Sequence, residues 1–229
     1  MTLLQGAQEF GAVLDTLQVV LEYVGTVAFA ISGALVASRK GMDIGGMVSL
    51  GAIVSVGGGT TRDLLLGRSV FWVEDPTFLA LGAGTALLII PVAHLAGTRV
   101  ARAYPLIQTF DAIGLALFVV TSTSIALSAG ASEVSAATIG VVAGIGGGVI
   151  RDVLANEVPQ VLVDRRLYIT AALAGSIAYL VLLRWEAPGV VAVWVPIAIV
   201  LLLRLASLRF GYSLPAVLVD LEKSRRTDG

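Results

Sequence analysis

The chain has 229 residues, 57% of them hydrophobic and only 14% charged, with a mean hydropathy of +0.92. Such values exclude an ordinary soluble domain and read as a polytopic membrane protein. The net charge of −1 matters less than where the charges fall, and the absence of cysteine excludes disulfides, thiolate metal sites and cysteine nucleophiles.

Residues 1–16 read as an extracytoplasmic segment; 1–15 hold no basic residue, unlike the start of a cleaved signal peptide, so the first helix is expected to be retained. Apolar runs able to cross about 30 Å of hydrocarbon follow. The first spans 17–37 and is closed by Ser38-Arg39-Lys40-Gly41. The second, 42–66, contains Gly57-Gly58-Gly59, with Arg62 and Asp63 beyond the triplet. A polar connection with Arg68, Glu74, Asp75 and Pro76 leads to a third run at 78–96. After Arg99 and Arg102 come runs at 106–127 and 136–154, the latter containing Gly146-Gly147-Gly148. A linker with Pro159, Asp164, Arg165 and Arg166 precedes runs at 168–183 and 190–208, the last with a kink expected at Pro196. The expected units are therefore a first three-helix repeat (17–96), a cytoplasmic linker (97–105), a second repeat (106–183), a seventh helix (184–208) and a cytoplasmic tail (209–229).

The repeat is read from one register. Gly57-Gly58-Gly59-Thr60-Thr61-Arg62-Asp63 returns 89 residues later as Gly146-Gly147-Gly148-Val149-Ile150-Arg151-Asp152. The same offset aligns Glu22 with Asp111, Gly25 with Gly114, Phe29 with Phe118, Ser32 with Thr121, Gly51 with Gly140 and Asp75 with Asp164. Three spans per copy, an odd number, make the second copy enter the membrane from the opposite side, so the expected fold is all-α with two inverted repeats and a seventh helix. Inverted repeats commonly place an ion or substrate path between them, lined by discontinuous helices. Glycine costs about 1 kcal/mol per position against alanine in a helix, so bends are expected at both triplets. Basic residues outside the triplet segments divide eleven against two between the sides, with Arg39, Lys40, Arg99, Arg102, Arg165, Arg166, Arg204, Arg209 and the tail on the richer one. The positive-inside rule then puts the N-terminus outside and the C-terminus in the cytoplasm, with Trp72 and Trp185 in the outer aromatic belt.

Carbonyls freed at the bends make Gly57, Gly58, Gly59, Gly146, Gly147 and Gly148 candidate cation ligands; alternatively the glycines serve close helix packing. Ionised groups at membrane depth usually face a partner or a wet interior, which singles out Arg62, Asp63, Arg151 and Asp152 as a charged gate or a structural ion pair. Since adjacent helical residues do not face each other, Arg62 is expected to pair with Asp152 and Arg151 with Asp63. Glu22 and Asp111 read as carboxylates favoured by a helix N-terminus. Ser32, Ser55, Thr60, Thr61, Thr121, Ser122, Thr123 and Ser124 either line an aqueous path or bond back to their own helices. His94 stands without a metal-ligand partner at helical spacing. No catalytic constellation, phosphate loop or basic-aromatic nucleic-acid patch is present, so an enzyme is not expected.

With the doubled Gly-Gly-Gly-x-x-Arg-Asp motif and the extra seventh helix, the chain closely resembles the TRIC family, the trimeric intracellular cation channels, over about residues 17–208. It is most similar to the short prokaryotic members, whose repeat domain also carries the label of a glycine transporter domain. The resemblance implies a homotrimer with a pore in every subunit, conducting monovalent cations, chiefly potassium, in a prokaryotic inner membrane. Sodium is a second candidate permeant ion; no cofactor is implied, nor any metal beyond the transported cation, and membrane lipid is the surrounding partner. Pore-lining roles would fall on the two triplets, and gate or counter-charge roles on Arg62, Asp63, Arg151 and Asp152. The Lys-Glu-Val run of the animal channels is missing, so their lipid regulation is not carried over. The alternative is a secondary transporter of glycine or another small solute using the same inverted-repeat site.

Overall fold

The computed structural model describes residues 2–96, 104–163 and 167–211. Arg99, Arg102, Asp164, Arg165, Arg166 and the tail beyond 211 lie outside the described residues, as does most of the basic asymmetry that set the expected orientation. The described chain is helical: α1 (Thr2–Arg39), α2 (Ile44–Leu65), α3 (Phe71–Glu74), α4 (Thr77–Ala96), α5 (Tyr104–Ser128), α6 (Glu133–Leu154), α7 (Gln160–Val163), α8 (Ile169–Arg184) and α9 (Gly189–Phe210). Among the described residues six helices are long and apolar enough to cross a membrane, the first of them as Thr16–Arg39 of α1. The expected span at 168–183 is the shorter α8, whose 16 residues reach roughly 24 Å at 1.5 Å each, less than the hydrocarbon thickness.

The 89-residue register governs the boundaries. Both α2 and α6 have 22 residues and begin on equivalent caps: Asp43 accepts from the Gly46 N–H at 2.7 Å, and Ser132 from the Ser135 N–H at 3.2 Å. A side-chain acceptor there satisfies an amide that has no partner within the helix. Both helices end equivalently too, Leu66 N–H donating to Arg62 O and Ala155 N–H to Arg151 O. The four-residue α3 and α7 follow at matching positions.

Each half packs its first helix against its second, α1 on α2 and α5 on α6, and the halves meet where α1 lies on α5 and α2 on α6. At the first meeting Phe29 and Phe118, equivalent residues, hold their rings 5.5 Å apart. Gly25 packs on Phe118 and Gly114 on Phe29; a Cβ on either would fall 2.8 Å from the ring it faces. The α9 helix lies outside this arrangement, against α5 and α8, and continues through Pro196.

Candidate functional site

Both glycine triplets lie inside uninterrupted helices, where α2 crosses α6. Their missing side chains let the two backbones touch. A Cβ on Gly58 would collide with the Ala143 carbonyl oxygen, and one on the equivalent Gly147 would sit 3.1 Å from the Val54 carbonyl oxygen, the residue equivalent to Ala143. One step along, Gly57 faces Ile150 and Gly146 faces the equivalent Thr61. Each of these contacts joins residues equivalent to those of its counterpart, so the crossing is reciprocal.

One turn beyond each triplet an arginine is buried: Arg62 is 1% and Arg151 0% exposed. The expected cross-pairing is overturned. Arg62 bonds Glu22 through Nη1 and its own neighbour Asp63 through Nε, at 2.8 Å. Arg151 bonds Asp111 at 2.6 Å and its neighbour Asp152 at 2.9 Å. The rule that adjacent helical residues diverge describes Cβ directions; an arginine stem is long enough to curl back onto the next carboxylate. Glu22 and Asp111, expected as helix-terminus carboxylates, are instead buried counter-charges on α1 and α5. The second oxygen of each neighbouring aspartate turns the chain after the helix: Asp63 Oδ2 accepts the Phe71 N–H and Asp152 Oδ2 the Gln160 N–H, both at 2.8 Å, at the first residues of α3 and α7. These are charge-assisted bonds between buried side chains, where a single unpaired ion would cost several kcal/mol, about 3–5 when one partner is removed.

The second cluster reaches further. Tyr168 OH donates to Asp111 Oδ2 at 2.6 Å, and Arg151 Nη1 donates to Ser32 Oγ at 2.7 Å. Gln160 accepts from Gln108, which accepts from Arg204 of α9 at 3.0 Å, and the Arg204 guanidinium lies 4.0 Å over the Tyr168 ring. Arg204, assigned by its position in the chain to the basic cytoplasmic face, is therefore buried in the core. Sequence reasoning passed over Tyr168, Gln108, Gln160 and Phe71. The offset itself, extended by eight residues past Asp63 and Asp152, points to Phe71 and Gln160.

Most of the hydroxyl candidates bond back to their helices: Ser55 to Ala52 O, Thr60 to Val56 O, Thr61 to Gly57 O, Thr121 to Leu117 O and Thr123 to Val119 O. Ser32 belongs to the Arg151 cluster, and Ser122 Oγ is buried without a hydrogen-bond partner. Thr121 and Ser124 open onto a cavity of about 220 Å³ with Gln18 and Tyr179 between α1, α5, α8 and α9. Outside the membrane-spanning segments, Asp75 is held below the usual carboxylate range by the Thr77 hydroxyl, then by the Thr77 N–H and the Tyr23 hydroxyl. His94 is exposed, and no cluster of three or more metal-ligating side chains occurs among the described residues.

The family model described as glycine transporter matches this chain twice, over residues 19–94 and 108–184. The chain belongs to the TRIC family. Its fold is similar to a crystal structure of the trimeric intracellular cation channel orthologue from Rhodobacter sphaeroides, with 43% identity and a TM-score of 0.80 over 86% of this chain and 100% of that one. A prokaryotic TRIC channel crystallised in 0.5 M KCl is 34% identical, with a TM-score of 0.78 over 87% of this chain and 99% of that one. The inner membrane protein YadS of Escherichia coli is 39% identical over 204 residues, 87% of this chain and 96% of that protein. The TRIC chain described here is thus a helical membrane protein of transport type, not an enzyme. The two family matches coincide with the two halves that exchange contacts at the α2–α6 crossing.

Proposed function

We propose that this protein is a cation channel permeable to monovalent ions, potassium foremost and sodium second, with a path through each subunit of a homotrimer between α2 and α6. The observation that carries the reading is the reciprocal crossing of the two triplet helices at Gly58 and Gly147, in a chain similar along nearly its whole length to TRIC channels. In the described conformation backbone contact shuts the crossing. Opening parts the helices by bending them at Gly57–Gly59 and Gly146–Gly148, and the freed carbonyls then replace part of the ion's hydration shell. Arg62, Asp63, Arg151 and Asp152, with Glu22 and Asp111, act as fixed counter-charges that anchor each helix end. The repeats are inverted across the membrane, α8 is a short sixth span and α9 the seventh, with the N-terminus outside a prokaryotic inner membrane and the C-terminus in the cytoplasm.

Single-channel recording in planar bilayers under a potassium gradient, repeated with sodium and with chloride as the only permeant ion, tests this. Discrete cation-selective openings, abolished or reduced by Gly58→Ala, are expected. Electrical silence alongside saturable glycine uptake into proteoliposomes would replace the channel with an alternating-access transporter.

A further inference from the structure

Within the reciprocal crossing, the equivalent seats at Gly57 and Gly146 are filled by different chemistry. Gly57 and Gly146 are equivalent, and so are the residues facing them. On one side a Cβ added to Gly57 would lie 2.6 Å from Ile150 Cδ1; on the other, a Cβ added to Gly146 would lie 3.5 Å from Thr61 Oγ1. An aliphatic chain thus presses into the first seat while a hydroxyl stands at the second. The preceding positions repeat the contrast, Val149 against Thr60, and Thr60 accepts a bond from Trp72 Nε1 at 2.8 Å. Thr61 donates to the Gly57 carbonyl at 2.9 Å, so the polar group lies beside the seat that Ile150 fills. Both Thr61 and Ile150 are half-buried, at the crossing but not sealed within it.

We infer that Ile150, seated on Gly57, is the apolar plug of the path, and that Thr61, seated on Gly146, is its hydrophilic counterpart, the pair setting when a partly hydrated monovalent cation passes. A constriction lined by an alkyl chain excludes water and so closes to ions without being physically filled, whereas a hydroxyl keeps water in place. Ile150 packs closely because Gly57 has no side chain, so the plug and the bend share one glycine. The inference rests on conduction between α2 and α6.

Its test compares three variants in potassium bilayers, with the melting temperature in detergent recorded for each. Ile150→Thr installs the residue that the equivalent seat already holds; because it takes apolar contact out of the constriction, open probability should rise roughly tenfold. Ile150→Val should change it less in the same direction, and Thr61→Ile, which plugs both seats, should lower it. Currents from Ile150→Thr where the wild type is silent would support both the path and the plug. A conducting wild type matched by a folded, unchanged Ile150→Thr would overturn the plug and leave the channel standing. If Ile150→Thr does not fold, unchanged open probability in Ile150→Val and Thr61→Ile overturns it equally. Absence of cation current from all the proteins, the wild type included, would remove the path itself and the plug with it.

Discussion

The two buried arginine clusters descend from one pattern and are finished differently. Each places an arginine between its own neighbouring aspartate and a carboxylate 40 residues earlier, and each aspartate caps the short helix that follows. The first is closed by rings. The Arg62 guanidinium lies 5.5 Å over Phe71, Phe71 meets Phe78 edge-on at 4.8 Å, and Tyr23 stacks on Phe78 at 4.3 Å. The second is closed by polar groups: Tyr168, Gln108 and Gln160 occupy the places held by Leu79, Val19 and Phe71 in the first half, and they lead to Arg204. The difference follows from the neighbours. Among the described residues α9 packs mainly on α5 and α8 of the second half, and a buried cation from that helix needs polar partners. Duplication kept the electrostatic centre of each half, and the surroundings of each copy were fitted to what lies beside it.

The comparison is broken most severely at the arginines. Arg151→Met leaves Asp111 and Asp152 buried without their cation and is expected to cost about 3–5 kcal/mol in thermal or denaturant unfolding in detergent. Arg62→Met should cost less, because Arg68, 44% exposed and 3.7 Å from Asp63, can turn inward to replace part of the charge. Equal losses would mean that Arg68 does not stand in for the missing cation.

Next in size is Tyr168→Phe, which removes a bond to a buried carboxylate and should cost about 1.5–3 kcal/mol. Combining it with Arg204→Met tests whether the network acts as a unit. The two losses should fall short of additivity by about 1 kcal/mol, with reduced hydrogen-exchange protection in α6 and α7 but not in α2 and α3. Protection lost evenly across both halves would count against a network confined to the second.

What could be read without the structure was the repeat and most of its helices. The runs expected at 42–66 and 190–208 are α2 and α9 to within two residues, because apolar length and capping residues are local properties of the chain. The short α3 and α7 were hidden inside polar connections. Residues at membrane depth were found, but not their partners. Composition marks Arg62 and Glu22 as unusual without saying that α1 turns one toward the other, and the span boundary that placed Arg204 at a membrane face is blind to which side of α9 meets Gln108. The doubled triplets stand out in the sequence, which is compatible with bends and with close helix packing alike. Only the crossing partner, Ala143 for Gly58, shows how tightly the backbones meet.

The smallest expected effect lies where the halves differ most openly. Glu157, in the turn after α6, accepts from Arg39 at 2.8 Å and pairs with Lys40 at 2.8 Å, tying the second half to the end of α1. In the other half the equivalent of Glu157 is Arg68 and the equivalents of Arg39 and Lys40 are Ser128 and Ala129, so no such tie can form. Partial burial works against ionisation of Glu157, but the Lys40 hydrogen bond and the charges of Arg39 and Lys40 overcome it and hold its pKa below the ordinary carboxylate value. A depressed folded-state pKa means that the tie contributes fully above the ordinary glutamate range and is lost as pH falls through the lowered value. The groups are partly exposed, so the contribution should stay under about 1 kcal/mol and shrink with salt. Glu157→Gln should therefore lower the melting temperature slightly near neutral pH, and the difference from wild type should vanish in strong acid. A difference that persisted there would assign the tie to packing rather than to charge.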